Sequence, residues 1–590
     1  MLNAIDIAVF CGYLVVLLII GFVAGGRPQK TSEDYFLAGR RLPWYVVGAS
    51  FIGNNISTEH FIGMIGVAYV YGICVAHWEW ANVFTFSVLI WLFIPFLLRS
   101  RVFTAPEFLE RRFNPTCRLF FAVLTVAANI TAFLAAVLYA AALGLKAMFQ
   151  WPDTLTVPLG PLSFEVSTIV VGVVAMGVLA GSYAVYGGLS SVAWTDLFHV
   201  AFMVVGGLLV TLSGLSFLGE GQGIIAGWKT MVARNLGQAP AWAEAIARAA
   251  PGVVQQASYN RLALVQPATH GLMPWPALVF GWIAVGIWYN CINQFMVQGV
   301  MGAKDAWHAR MGIVFAGFLK IFLPLIVVIP GLIYFAMEPS LLRAELFDGA
   351  LGPPLRQQID QGYAVMAVRL LHVGVRGLLM AAIFGAVLST IDSVLNSTAT
   401  ILSLDIYRKF IRPEVSDRSL VRMGRWITAV VLVIAMGLAP FIQRLGQGVF
   451  VYIQNLYAYF APPFAAVFLL GILWKRATAK AATITIPAGI AFGFFLEFVV
   501  FKYWIRQGTA FTLRSVYNWA FCMVLMVVVS LVSAPPPPEK TGDDLTIDWR
   551  HITAFKGLGR PWYRNLALWY ALFVAGIIAC YVTFCGLFLR

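Results

Sequence analysis

Charged residues are scarce in this chain, 11% of 590 positions, while 60% are apolar. Soluble domains carry about 25% charged residues, so a water-soluble enzyme, a disordered chain and a nucleic-acid binder are excluded. Cysteine is sparse too, 7 in all. Most of the cysteines lie inside apolar stretches (Cys11, Cys74, Cys522, Cys580, Cys585) and show neither a disulfide framework nor a metal spacing. The dipeptide Gly-Lys never occurs, which removes the Walker A loop and with it ATP-driven transport on this chain. No nucleophile–base cluster appears, so no enzymatic activity is expected. No basic stretch precedes the first apolar run, which is expected to stay in place as a span.

What is abundant is apolar sequence in runs of about 20 residues, the length that crosses a hydrocarbon core. Fourteen such runs are read at 4–24, 44–70, 74–98, 119–149, 165–187, 193–217, 274–299, 312–337, 376–406, 426–443, 449–474, 478–501, 515–533 and 566–589. The fold class expected is an all-α polytopic membrane protein of 14 transmembrane helices, in contact with lipid. An even number of crossings places both termini on one side. Lys and Arg decide which side: loops after odd-numbered runs carry 25, the opposite loops 13. Basic residues favour the cytoplasm. Both termini are therefore expected outside a plasma (cytoplasmic or inner) membrane, with 99–118 and 407–425 inside. Residues 218–273 read as a polar outer loop with short helices, one of them at WAEAIARAA. Residues 534–565 read as a Pro-rich cytoplasmic linker.

Strongly polar residues at membrane depth are costly and mark function unless they serve helix packing. The second run holds Gly53, Asn54, Asn55, Ser57, Thr58, Glu59 and His60 at its centre. Gly and paired Asn are poor helix formers. A helix broken there frees backbone carbonyls, which is tolerable where they line a cavity or an ion site. In the third run Glu79 lies between Trp78 and Trp80, with Asn82 one turn on. A carboxylate and an amide between indoles suit a polyhydroxylated ligand, and an interfacial aromatic belt is the competing reading. The ninth run places Ser389, Ser393, Asn396, Thr400 and Ser403 at steps of 4, 3, 4 and 3, one helix face. Thr390 and Ser397 lie beside it. Hydroxyl and carbonyl oxygens are hard ligands suited to a hard cation such as Na⁺. Asp392 adds a charge to which the sequence assigns no role. Asp196, Tyr289, Asn290, Asn293, Lys320 and Gln454 are further polar residues inside apolar runs.

The strings DYFLAGRRLPWYVVGASFIGNNISTEHFIG, TAPEFLERRF, YGGLSSVAWTD, INQFMVQ and LNSTATILSLDIYRK carry a resemblance to the sodium:solute symporter family. Within it, the sequence is similar to the sodium/glucose and sodium/galactose branch. The resemblance implies a LeuT-like fold of two inverted five-helix repeats with extra flanking helices. The implied division is 1–43 (first helix and loop), 44–217 (first repeat), 218–273 (outer loop), 274–474 (second repeat) and 475–590 (C-terminal helices and linker). It also implies a sodium site made by backbone oxygens of Gly53, Ile56 and Ala386 and hydroxyls of Ser389 and Thr390. Gly53 replaces the family's usual Ala. Asp196 matches an acidic residue tied to a second ion or the inner exit path. His60, Glu79, Asn82, Lys320 and Gln454 match solute-binding positions, and Tyr289 matches an inner gate that stacks on a sugar ring. Gly286 stands where a galactose carrier has a sugar-binding Asn, and Phe133 stands near a usually polar position.

The function implied is Na⁺-coupled symport of a small neutral polar solute, a hexose, by alternating access. One rival keeps the fold and changes the solute to a polyol such as myo-inositol, an amino acid, a vitamin or a carboxylate. Another is a sodium-linked channel or sensor. The partners expected are Na⁺, the solute and membrane lipid, with no nucleic acid and no protein partner implied.

Overall fold

The protein is described from a computed structural model covering residues 3–26, 28–56, 59–159, 162–237, 260–268, 270, 272–343, 346, 355, 358–445, 449–505, 511–548, 559 and 561–585. Among these, 11 helices are long and apolar enough to cross a membrane. The apolar runs read in the sequence all contain helix, and the two counts part at three places. Thr168–Leu218 is an unbroken run of 51 residues made of two helices that meet at a kink at Gly188 (φ 54°, ψ −147°); a straight helix of that length would measure about 75 Å, more than twice a hydrocarbon core. Only glycine adopts this conformation without strain, and a Cβ there would lie 2.4 Å from the Tyr35 carbonyl oxygen. The second run is split into Trp44–Asn55 and Ile65–Tyr71, the latter running on from a π-helical segment Glu59–Met64. The seventh is interrupted at Asn293, which ends the Trp288–Ile292 turn and caps Gln294–Met301.

One correction concerns the all-α expectation. Thr154–Leu159 pairs antiparallel with Leu162–Ser167, Val157 opposite Phe164. Both strands are rich in β-branched and aromatic residues, which favour extended backbone. The hairpin takes the residues read as the start of the fifth run, so the helix begins at Thr168 and not at 165. The fourth run starts earlier than read, at Pro115: the Asn114 side chain accepts from Cys117 N at 2.9 Å, and proline occupies the first turn, where no N–H is needed. In the 218–273 loop the described helix is Ile224–Gly237. The stretch WAEAIARAA lies outside the described residues.

Burial separates the lipid-facing helices from the centre. Ala4–Gly25 buries one stripe, Asp6, Phe10, Tyr13, Leu17, Gly21 and Gly25, and exposes Val15, Val16, Ile19 and Val23. Recurrence at three and four residues is the signature of one packed face. Its most apolar stretch is 22% buried, whereas that of Val375–Ile411 is 94% buried. Thr390, Ser397, Thr398 and Thr400 satisfy their hydroxyls on carbonyls of their own helix, and Ser389 and Ser393 reach other elements. Val375–Ile401 packs along Thr168–Leu218 and touches Trp44–Asn55, so the serine-rich face and the broken span meet at the centre of the bundle.

Candidate functional site

The broken span supplies the first half of the site. Helix Trp44–Asn55 stops where Ile56 turns extended (φ −99°, ψ 118°), with its N–H still bonded to Ile52 O at 3.0 Å. Carbonyls of that last turn have no helical partners and carry the negative end of the helix dipole. Gly53 in this turn lies against the serine-rich helix: a Cβ on it would be 2.7 Å from Ser389 Oγ and 3.4 Å from Asp196 Oδ1. Ser389 donates to Asp196 Oδ1 and Ser50 to Asp196 Oδ2, each at 2.5 Å. Thr390 donates to Ala386 O at 3.1 Å. Gly53, Ser389 and Asp196 therefore meet at one point. Ala386 and Thr390 adjoin them on the same helix, and Ile56 stands at the break. Asn54 joins this assembly to the interrupted seventh run: it donates to Phe295 O at 2.9 Å and accepts from Ser393 at 2.5 Å.

Three members, Asp392, Ser50 and Tyr183, were not legible as part of the group. Asp392, without a role in the sequence, accepts from Tyr183 at 2.7 Å and shares the buried interior with Asp196. Among the described residues neither carboxylate forms an ion pair, and both are fully buried. A buried negative charge without a counter-charge is costly, so this group of hydroxyls, carbonyls and carboxylates fits a hard cation. Ser50 and Tyr183 are single hydroxyls in otherwise apolar turns, and no spacing marks them.

The second half of the site lies on the other side of the break. Lys320, in helix Ala306–Val327, donates to both Glu79 Oε2 and Asn55 Oδ1. His60 Nε2 lies 3.5 Å from Glu79 Oε1. Glu79 and Lys320 are each 2% exposed, so the pair is shut away from solvent. His60, Glu79 and Lys320 thus come together, with Asn55 added. The half-helix that presents Gly53 to Ser389 presents Asn55 to Lys320 two residues later.

Other expected solute residues are placed differently. The Asn82 amide donates to Trp78 O (2.7 Å) and Glu79 O (3.2 Å), and its oxygen accepts from Asn290 at 2.7 Å. Its side chain is engaged within the protein. Asn290 also donates to Thr85 Oγ1 at 3.0 Å. Its Oδ1, both amide atoms of Asn293 and Gln298 Oε1 are buried without a partner among the described residues. Tyr289 joins an aromatic wall, edge-on to Phe295 (centroids 5.9 Å) and tilted to Tyr457 (5.6 Å). Phe133 packs on the same two rings at 5.3 Å each. Trp80 turns towards the last helix, Leu566–Phe584, meeting Tyr581 and Phe584. Helix Val449–Leu473 carries Gln454, whose side chain lies outside the described residues.

At the end of the bundle that holds the 99–118 and 407–425 loops, a polar cluster joins residues 104–118 to residues 405–409. Arg118 reaches Asp405 at 2.7 Å and Glu110 at 2.6 Å, Lys409 reaches Glu110 at 2.5 Å, and Thr104 donates to Asp405 at 2.8 Å. Partial burial pushes the Glu110 carboxyl up, but hydrogen bonds from Lys409 and Arg118 outweigh it and hold the group below the usual carboxylate range.

A model of the sodium:solute symporter family matches residues 35–489. The sodium/glucose cotransporter of Vibrio parahaemolyticus is 35% identical over 556 residues, 92% of this chain and 93% of that protein. The mouse sodium/myo-inositol cotransporter is 31% identical over 575 residues, 94% of this chain and 76% of that protein. Among solved structures, a substrate-bound, outward-open Na⁺-coupled sialic acid symporter aligns with a TM-score of 0.68 at 21% identity, covering 90% of this chain and 99% of that one. At that identity the likeness speaks for the fold.

Proposed function

The chain belongs to the sodium:solute symporter family, with sodium as the coupling ion, and on that premise we propose that its solute is a neutral hexose taken up by alternating access. The observation that carries this reading is the fully enclosed Glu79–Lys320 pair with Asn55 and His60 around it, next to the break at Ile56. A carboxylate offers acceptors, an ammonium and an amide offer donors, and together they match hydroxyls that both donate and accept. An anionic solute would meet Glu79 at close range, so the pair disfavours it. Both named relatives act on neutral polyhydroxylated compounds, glucose and myo-inositol. The cyclic polyol is the second reading, because it presents the same hydroxyl chemistry.

Sodium is assigned to Gly53, Ile56, Ala386, Ser389 and Thr390, with Asp196 at the side of the site through its bonds to Ser50 and Ser389. The solute is assigned to His60, Glu79 and Lys320, with Tyr289 and Gln454 as further contacts and Asn82 as their backing. Because Gly53 and Asn55 share one turn, a sodium ion that orders the helix end also orders the group that holds Lys320. That is a differential stabilisation of the kind coupling requires. The repeats 44–217 and 274–474 are taken as the two inverted halves. The Arg118–Asp405–Glu110 cluster ties them at the cytoplasmic end and must part for release.

We assign the topology as fourteen crossings with both termini outside. Cysteine labelling from the cytoplasmic side only is expected at 407–425, and labelling there from outside would contradict it. The solute is tested by competition in proteoliposomes. Excess glucose or galactose is expected to block sodium-driven uptake, and proline, pantothenate or iodide is not. A carrier that ignores all hexoses and polyols refutes the solute assignment and leaves the family intact.

A further inference from the structure

The loop between the repeats sends one arginine into the protein. Arg261 is fully buried. Its guanidinium donates to Tyr69 O at 2.6 Å and Val70 O at 2.7 Å, the last carbonyls of half-helix Ile65–Tyr71. These carbonyls have no helical partners and carry the negative end of the dipole, where a cation is favoured. Its Nε donates to Asn235 Oδ1 at 3.0 Å, and its plane lies 3.8 Å above the Phe335 ring. Asn235 in turn donates to Leu332 O at 3.1 Å. Leu332 and Phe335 belong to helix Ile329–Met337 of the second half of the chain.

The backbone of Arg261 is fixed as tightly as its side chain. Its carbonyl accepts from Ile73 N at 2.8 Å. Gly72, with φ +84°, sits so close that a Cβ would lie 2.1 Å from that carbonyl oxygen. Gly72, at a positive φ that glycine alone adopts freely, is thus both the stop of the half-helix and the seat for Arg261. The same half-helix packs on Ile329–Met337 directly, and Tyr69 Oη donates at 2.5 Å to the carbonyl of Glu338, the residue that caps that helix.

We propose that Arg261 is a positioning residue: it pins the outer half of the broken span to helix Ile329–Met337 and thereby sets where His60 stands relative to Glu79. His60 and Arg261's acceptors lie on one continuous helical segment, Glu59–Tyr71. A half-helix this short is not stable on its own, so its far end needs an anchor. Displacing the far end displaces His60, and with it one of the donors beside Glu79. The solute part of this inference rests on the assignment of His60 and Glu79 to the solute site.

Two readouts on full-length protein separate the parts. Amide exchange over 65–73 is expected to quicken at least tenfold in Arg261→Gln and less in Arg261→Lys, which keeps a cation at the helix end. In proteoliposomes, Arg261→Gln is expected to raise the hexose KM about tenfold while the maximal rate changes less than threefold, with partial rescue in Arg261→Lys. Asn235→Ala leaves the arginine in place and removes one acceptor, so it is expected to shift both readouts in the same direction by a smaller amount. This variant keeps the test open if Arg261→Gln does not fold. Unchanged exchange at 65–73 in the folded variants overturns the pin. Quickened exchange with unchanged KM overturns the positioning role, provided Glu79→Ala raises KM in the same assay. If Glu79→Ala also leaves KM unchanged, the solute site is wrong, and the exchange result still decides the pin.

Discussion

Glu79→Ala is expected to raise the hexose concentration for half-maximal uptake about ten- to a hundredfold. A hydrogen bond to a charged group contributes about 1.5–3 kcal/mol, which converts to that range at 1.4 kcal/mol per factor of ten. Taken alone, a membrane carboxylate costs desolvation, and its removal would spare the fold. The structure reverses that sign, because Glu79 accepts from Lys320 and both are 2% exposed. Deleting one member of a buried pair leaves the other charge uncompensated, at a cost of about 3–5 kcal/mol. Glu79→Ala is therefore expected to lower the thermal midpoint in detergent as well as the affinity. Glu79→Ala combined with Lys320→Met is expected to regain stability without regaining affinity. Kinetics and thermal unfolding on the same three proteins check this. A single mutant with the wild-type KM would remove Glu79 from the solute site.

The second large effect concerns sodium. Ser389→Ala and Thr390→Val are each expected to raise the sodium concentration for half-maximal uptake, and together to nearly abolish sodium dependence. The two are not equal. Ser389 holds Asp196 as well as facing Gly53, so its removal would take away an assigned ligand as well as one of the two hydroxyls bonded to that carboxylate. Among the described residues the Thr390 hydroxyl bonds to Ala386 O, one turn back. About tenfold or more is expected for Ser389→Ala, from the same range for bonds to charge, and a smaller rise for Thr390→Val, whose hydroxyl is bonded to its own helix. Uptake rates across a sodium series at constant ionic strength measure both. If each single mutant keeps the wild-type sodium curve, the ion binds elsewhere.

Local chemistry was legible wherever a short stretch determines its own structure. The Gly-Asn-Asn sequence marked the break after Asn55, and the serine steps marked one buried face: Ser389, Ser393, Asn396, Thr400 and Ser403 are all enclosed. Glu79 stood out as a charge in an apolar run. Its partner Lys320 stood out for the same reason, but their meeting across 241 positions came from the family resemblance and not from any periodicity. What stayed hidden depends on long-range contact. Asn82 looked free for solute, but its amide nitrogen turns back on Trp78 O and Glu79 O, and its oxygen accepts from Asn290, 208 positions away. Asp392 needed Tyr183, 209 positions away, to acquire a setting. Arg261 lies in a loop that reads as polar and exposed, yet its side chain ends at the carbonyls of residues 69 and 70. The hairpin of strands 154–159 and 162–167 was hidden for a different reason: most of it falls between two apolar runs, and only its last residues, 165–167, were read into the following helix.

The most direct test of the whole account is labelled-hexose uptake into proteoliposomes under an inward sodium gradient and an inside-negative potential. One charge crossing 100 mV supplies about 2.3 kcal/mol, and a tenfold sodium gradient about 1.4 kcal/mol more. One sodium per hexose can then sustain accumulation of several hundredfold, an order-of-magnitude ceiling that follows from those two terms. The account predicts uphill accumulation that collapses when sodium is equal on both sides. Hexose that merely equilibrates, or accumulates equally well without sodium, would contradict it.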